Sequence, residues 1–354
     1  MTHSVTTESM QTSGAVAVEY AAVRKKGAGL IDLSSRGRFQ VGGSEAVQFL
    51  NGLITNDMKT LAEDAWMPAV FPNVQGRLLA SVRVARLKPV ESANPNYLID
   101  TEAATRENVL KTLQRFILAG DFRVTDITDG TRQFAVQGSG ADDVVRAVFG
   151  DAVIGLPEHG ATTISWNGME VSALRDTHTG AKGFELIAPT VGGGDLWQSL
   201  VDAGVTPVSD QVVEILRIEA GIPRYGLDMD ESNVVTETNL DDAVSYTKGC
   251  YIGQEIIARI KYRGHVAKKL TGLSFADKVE VASGDVIKSL DDKDIGRITS
   301  VTYSPQLKQT IAMGYVKYDC LAAGTSVKVV HDGNEQSAHV TELPFIRDEQ
   351  SDVG

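Results

Sequence analysis

Apolar and polar positions alternate in short runs along the first third of the chain. Between residues 24 and 135, RFQVGG and LLASVRVARL read as strands, the second with Leu79, Val82 and Val84 bracketed by polar or small neighbours. Helical spacing separates such runs. Ser44 is placed to cap a helix running through Leu50, and Thr105 to Leu118 carries Val109, Leu110, Leu113 and Ile117 on one helical face. Residues 133–205 alternate as strand (RQFAVQG), helix (ADDVVRAVFG), three strands (TTISW, MEVSALR, GFELIAP) and helix (DLWQSLVDAG), an order compatible with a ferredoxin-like α+β layer. A further helix from Ser209 to Ala220 is stopped by Gly221 and Pro223. Beyond Gly264 the texture changes to short strands split by charged turns (GRITSVTY, TIAMGYVKY, TSVKVVHD, SAHVTEL), spaced like a small antiparallel barrel. A domain boundary is expected near residue 266, with a frayed polar end over 347–354.

Composition narrows the possibilities. At 354 residues the chain is long enough for two or three domains. Its net charge of −12 argues against nucleic acid and anionic membranes as partners, because the bulk field repels phosphate. With only Cys250 and Cys320, there is neither a disulfide framework nor a self-sufficient four-thiolate metal site, and a reducing cytoplasm is the simplest location. Residues 1–23 lack the basic and apolar blocks of a secretory signal and read as a disordered tail. No apolar run reaches membrane-spanning length.

The chemistry concentrates in residues 248–265, KGCYIGQEIIARIKYRGH. Gly249-Cys250-Tyr251-Ile252-Gly253 forms a glycine-bracketed turn ahead of a helical stripe, Ile256, Ile257 and Ile260. A helix start and the nearby Lys248 both favour a thiolate at Cys250. The same cysteine also suits a tight turn as a small, semi-apolar filler, and the two readings stay open. Arg259, Lys261 and Arg263 form either a basic rim for an anionic ligand or partner, or the solvated face of an amphipathic helix. Gly192 to Gly194 precede a helix without the lysine of a phosphate loop. His159, His178, His265, His331 and His339 show no metal-ligand spacing, so no bound metal is expected. The acid pairs 142/143, 241/242 and 291/292 suit helix starts and turns.

KGCYIGQE resembles the signature of YgfZ-type folate-binding proteins, implicated in iron–sulfur cluster maintenance, within the glycine-cleavage T-protein (aminomethyltransferase) superfamily. The resemblance extends over LNGLITND (50–57), NVQGRLL (73–79), TGAKGFEL (179–186), RIEAGIPRYGLDMD (217–230), TETNL (236–240) and ITSVTYSPQLKQTIAMGYV (298–316). It implies an α+β fold: a T-protein-like folate-binding region over 24–265, with the ferredoxin-like unit inside it, then a C-terminal antiparallel β-barrel over 266–346. The departures bear on activity. The T-protein acid at the end of a GGxLDD-like segment falls here on Ala80, KxDFIG becomes KGCYIG, and TGExGFE loses its first acid to Ala181 while keeping Glu185. Amine-to-folate transfer without its positioned acid loses orders of magnitude in rate.

The implied ligand is a tetrahydrofolate, with Glu185 either the acceptor for the pterin N–H groups or an exposed strand carboxylate. Arg36 and Val213 stand where bacterial relatives carry tryptophans, and Arg36 is available to stack its guanidinium or meet the glutamate tail. Asn239 and Tyr225 lie near the expected cavity, or merely cap turns. The implied function is a folate-dependent accessory role in assembly or repair of iron–sulfur proteins, working with client or assembly proteins. Cys250 would be its functional thiol and Lys248 the adjacent cation, with Gly249, Tyr251, Gly253, Gln254 and Glu255 completing the signature. The alternatives are a folate-dependent aminomethyltransferase or other C1-transfer enzyme, which needs a replacement acid near Ala80, and a non-catalytic module that recruits a partner through the barrel.

Overall fold

The computed structural model describes residues 14–88 and 96–347. In chain order the elements are α1 (Gly14–Arg24), β1 (Gly29–Asp32), β2 (Gly37–Gly42), α2 (Ala46–Leu53), β3 (Ala65–Pro72), β4 (Leu78–Leu87), β5 (Asn96–Thr101), α3 (Arg106–Gln114) and β6 (Arg123–Asp126). There follow β7 (Thr131–Gln137), α4 (Ala141–Phe149), β8 (Ala161–Trp166), β9 (Met169–Arg175), β10 (Gly183–Pro189), α5 (Thr190–Asp202), β11 (Thr206–Pro207), α6 (Asp210–Glu219) and α7 (Gln254–Arg263). The last strands are β12 (Lys268–Phe275), β13 (Val286–Lys288), β14 (Asp294–Ser304), β15 (Gln309–Lys317), β16 (Ser326–His331) and β17 (Asn334–Thr341).

Two sheets are built to one plan. The first has the order β3-β4-β5-β2-β6 and the second β11-β1-β7-β10-β9-β8. In each, the unit strand, helix, three strands, helix, strand folds so that its first strand pairs with its fourth. The second sheet differs by taking in β1, which separates β7 from β11. The unit read from the sequence over 133–205 thus closes only with help from two strands outside it. Apolar residues on one face of each sheet pack against its helices: Phe39, Val82 and Ile99 against Leu50 and Leu113 in the first, Leu30, Phe134 and Phe184 against Val145 and Leu196 in the second.

The opposite faces of the two sheets meet each other. Trp66, Leu98, Leu174 and Ile187 pack together there, and reciprocal backbone bonds from Trp66 to His159 and from Ala161 to Asp64 stitch β3 to the entry of β8. Strand β4 shows why one strand serves two environments. Ala80, Val82 and Val84 are buried in the first core, whereas Ser81 and Arg83, on the alternate phase, face the second sheet.

The barrel closes in the order β12-β15-β14-β13-β16-β17 around Leu273, Val301, Val316, Val329 and Val340. It docks on α6 through Ile218, Leu270, Ile311 and Met313. No helix among the described residues is long and apolar enough to cross a membrane.

Two expectations are corrected. Residues 14–23, expected to be part of a disordered tail, lie in α1, which buries Val16, Tyr20 and Val23 against Val212, Ile215 and Leu216 of α6. Residues 1–13 and 348–354 of the expected tails lie outside the described residues. The helix expected to run to Leu118 ends at Gln114, and Leu118 stands almost fully exposed in the turn that follows.

Candidate functional site

Where the sheets meet beside the Trp66 cluster, charged side chains collect in the interior. Arg83 on β4 stands directly opposite Asp100 on β5, so both project from the same face. The Arg83 guanidinium is ringed by three carboxylates and an imidazole. Its Nε lies 2.7 Å from Asp176 Oδ2, its Nη1 donates to Asp100 Oδ2 (3.0 Å) and Glu185 Oε2 (3.2 Å), and its Nη2 lies 3.3 Å from His178 Nδ1. Asp176 Oδ2 accepts no well-aligned hydrogen bond, but at 2.7 Å its contact with Arg83 is ionic, and it is not an unpaired charge. Arginine only donates, so His178 Nδ1 is the acceptor and Nε2 carries the proton donated to Glu185 Oε2 at 2.7 Å.

Around this centre the network is continuous. Gln133 on β7 donates to both Asp100 (3.1 Å) and Glu185 (2.6 Å), and accepts from Arg38, itself fully buried and bonded otherwise to hydroxyls and carbonyls. Arg36 grips Asp100 through Nε and Nη2 and reaches Glu102 at 2.6 Å. Asp100 therefore gathers two arginines and a glutamine from two strands and a loop.

The electrostatics separate the carboxylates. Burial opposes ionisation of Glu185, yet the Arg83 charge, the hydrogen bond from His178 and the Arg36 charge outweigh it and hold the carboxyl at about 2. Glu102 is likewise held at about 2, burial being overcome by Arg36. Asp176 goes the other way: burial, with the Glu185 charge beside it, raises its carboxyl despite Arg83. Opposed shifts on neighbouring acids are the arrangement from which acid–base pairs are made.

Asp176, His178 and Glu185 present ligand atoms within 4.8 Å of one another, a donor set suited to a divalent ion. The Arg83 guanidinium occupies their midst and supplies the positive charge. Trp66 adds an aromatic wall, its ring centre 6.0 Å from the guanidinium carbon.

The residues singled out from the sequence fall in different places. Glu185 is fully buried, which removes its reading as an exposed strand carboxylate, and its oxygens already serve Gln133, Arg83 and His178. Arg36 is not available to stack on a ligand, because its guanidinium is fixed between Asp100 and Glu102. Val213 is half-buried on α6, next to Glu214, and offers no aromatic face. Asn239, in the left-handed region at φ 61°, donates to the Leu270 carbonyl and ties its loop to β12. Tyr225 packs with Met229, Val235 and Tyr251 in a separate apolar cluster. Ala80 is buried in the first core, on the face of β4 away from Arg83, so an acid there would not point at this network.

The KGCYIGQE turn is a second place. Lys248 is buried and its ammonium donates to the carbonyls of Asn51, Ile54 and Asn56 at the end of α2, so it is a structural cap rather than a cation beside Cys250. Burial lowers its pKa to about 8. Tyr251 is buried, its phenol pushed up by burial to about 12, and the Ile252 amide donates to the Gly52 carbonyl. Gln254 opens α7 and reaches back to the Lys248 carbonyl at 3.4 Å, and Glu255 is exposed in the first turn. Gly249 and Cys250 are exposed. Gly253 is left-handed and abuts Asn73 and Gly76 in the β3–β4 hairpin. From Leu78, beside that hairpin, to Arg83 there are five residues of strand, about 17 Å. The turn that carries the thiol and the Glu185 network thus meet β4 at different positions along its length.

Arg83, Asp100, Gln133, Asp176 and His178 were not singled out from the sequence as members of a site. Asp176-x-His178, seven residues before Glu185, was the one local signal.

The chain matches the model of the GCVT N-terminal domain over residues 4–248 and that of the glycine cleavage T-protein C-terminal barrel domain over residues 268–346. It is 29% identical to aminomethyltransferases of Picosynechococcus sp. and Thermotoga neapolitana over 93% of its length and 89% of theirs. The fold is that of the glycine cleavage system aminomethyltransferase T from Bartonella henselae, with a TM-score of 0.85 at 23% identity, covering 94% of this chain and 89% of that one. The chain belongs to the glycine-cleavage T-protein family.

Proposed function

We propose that the chain is a folate-dependent one-carbon-transfer protein of the aminomethyltransferase type, with its chemistry at the Arg83–Glu185 network. The observation that carries the reading is the cluster itself: a buried Glu185 flanked by Asp176 and His178 at the junction of the two sheets, in a family that uses tetrahydrofolate. The donor set fits a pterin. Glu185 is a buried carboxylate that accepts N–H groups of the kind a pterin edge presents, and Trp66 supplies an aromatic wall. Arg83, 16% exposed at its side chain, must yield its bond to Glu185 for a pterin to take it.

When bound, tetrahydrofolate supplies the nitrogen that accepts the one-carbon unit. Asp176 takes over the acid task that Ala80 leaves open. Its raised carboxyl holds a proton more readily than Glu185, and Arg83 and His178 link the two. Glu185 stays ionised and orients. Calorimetry with tetrahydrofolate, followed by a transfer assay with an aminomethyl donor, tests this. Wild type should bind and turn over, Glu185→Ala should lose binding, and Asp176→Asn should bind but lose turnover by about 100-fold or more. Absence of folate binding in the wild type would sink the reading.

A second reading, an accessory role in iron–sulfur protein assembly or repair in the cytoplasm, is favoured by Cys250. The thiol is exposed on a turn whose backbone is anchored by Lys248 and Ile252, a geometry suited to meeting a partner protein. It predicts that Cys250→Ala fails to restore iron–sulfur enzyme activity in a deletion strain. Full restoration would leave only the transfer reading.

A further inference from the structure

A crevice with a volume of about 470 Å³ separates residues 227–233 from the outer face of the barrel, and it shares no residue with the Arg83–Glu185 network. Sheet register brings three cations to that face. Lys268 on β12 stands directly opposite Lys317 on β15, and Tyr315, two residues before Lys317 and so on the same face, stands directly opposite Arg297 on β14. Like charges at directly opposed positions repel and are destabilising.

The cations do not find relief inside the chain. Lys268 Nζ lies 4.7 Å over the Tyr315 ring, Lys317 donates to the Asp294 carbonyl and Arg297 to the Gly284 carbonyl, and among the described residues none of the three forms an ion pair. Three acids line the same crevice. Asp228 is held by Arg217, Thr299 and Ser300, Asp230 accepts from the Ser232 amide, and Asp294 lies 4.0 Å from Lys288. Tyr315, 7% exposed, lines the crevice, and its hydroxyl has no hydrogen-bond partner. Three cations without an ion pair of their own thus line the crevice together with three acids, of which Asp228 is neutralised by Arg217.

We propose that this crevice binds a small dianion, a compound carrying either a phosphate or two carboxylates, with Lys268, Lys317 and Arg297 as its charge partners. The volume suits a small metabolite rather than a macromolecule. Because one wall belongs to the barrel and the other to residues 227–233, an occupant joins the two regions and raises the temperature at which they separate.

The test is calorimetric titration of the full chain at low salt with inorganic phosphate and, separately, with glutarate. Binding of one alone identifies the source of the dianion, and binding of both makes charge the sole criterion. Lys268→Gln combined with Lys317→Gln should weaken binding by at least about tenfold, whereas the paired lysine-to-arginine variant should stay within about threefold of wild type. Thermal unfolding without ligand shows whether the glutamine variant folds, and the arginine variant carries the test if it does not. The proposal is overturned if neither probe binds below about 10 mM, or if the folded glutamine variant binds as wild type does.

Discussion

Arg83 and Glu185 join the two sheets: the Arg83 Nη1 on β4 lies 3.2 Å from the Glu185 Oε2 on β10, with the Glu185 side chain wholly removed from solvent. The pair is not isolated, since Gln133 and His178 satisfy the remaining carboxylate positions and Asp100 and Asp176 satisfy the guanidinium. Taking such charges out of water is costly, so the network is stable only as a set. Its value lies in fixing how two similarly built sheets face each other while leaving the Arg83 side chain 16% exposed.

Removing one member should therefore cost more than removing an exposed ion pair. Arg83→Ala leaves Glu185 and Asp176 buried without their main counter-charge and is expected to destabilise by about 3–5 kcal/mol. Adding Glu185→Gln should recover part of that loss, because the orphaned charge disappears with it. Urea unfolding of the two single variants and the double variant measures the coupling. Additive effects would mean that the pair does not interact.

The acid limb of stability follows from the same carboxylates. Glu185 and Glu102 are held at about 2 against an ordinary 4.5, so their contribution is fully present above about pH 4.5 and is lost as pH falls toward 2. Asp176, raised by burial, acts in the opposite sense: it favours the fold at low pH and loses that contribution as pH rises through its folded value. Glu185→Gln should flatten the loss between pH 4.5 and 2, by up to about 3 kcal/mol relative to wild type. Denaturant midpoints measured from pH 7 to 2.5 decide it, and parallel curves would refute the assignment.

The division between strands and barrel was readable because it rests on local alternation. The LLASVRVARL run shows its two phases in the sequence, one for the core and one for the junction between the sheets. What that second phase meets was not readable. Arg83 finds its partners 17, 93, 95 and 102 residues away, on a neighbouring strand, a loop and another sheet. Glu185 was legible as a retained acid, but its burial depends on strands that only tertiary pairing brings together. The histidine spacing matches no metal motif, and the role of His178 comes from the β9–β10 loop folding over Arg83. The first helix is hard to read for a different reason. Its small, weakly amphipathic residues carry little local signal, and it is held by Glu219, some 200 residues distant.

That distant contact makes α1 testable. Tyr20 donates to Glu219 Oε1 at 2.8 Å, Arg24 Nε lies 3.1 Å from Oε2, and Glu219 also accepts from Ser304 on the barrel, so one carboxylate ties α1, α6 and β14 together. Tyr20→Phe keeps the ring packing and removes one buried hydrogen bond to a charged group, at an expected cost of about 1–3 kcal/mol. Differential scanning calorimetry should show one cooperative transition moved to lower temperature. An unchanged melting temperature would mean that the amino-terminal helix does not support the core.

The two glycines of the KGCYIGQE turn separate structure from chemistry. Gly253 sits at φ +78° immediately before α7, and a Cβ there would lie 2.4 Å from the Asn73 carbonyl oxygen, in the hairpin against which the turn rests. Gly253→Ala therefore combines left-handed strain with overlap against backbone and should cost about 2–4 kcal/mol. Faster amide exchange at Ile252 should accompany it, as that amide loses the Gly52 carbonyl. Gly249, by contrast, has no atom within 4 Å of an added Cβ and is not in the left-handed region. Gly249→Ala is expected to leave stability within about 0.5 kcal/mol of wild type. If it nevertheless slows alkylation of Cys250 or abolishes activity in cells, the glycine beside the thiol serves access to the sulfur rather than the fold. If Gly249→Ala is silent in every assay, this glycine serves neither the fold nor access to the sulfur, and Cys250→Ala alone decides whether the thiol is used.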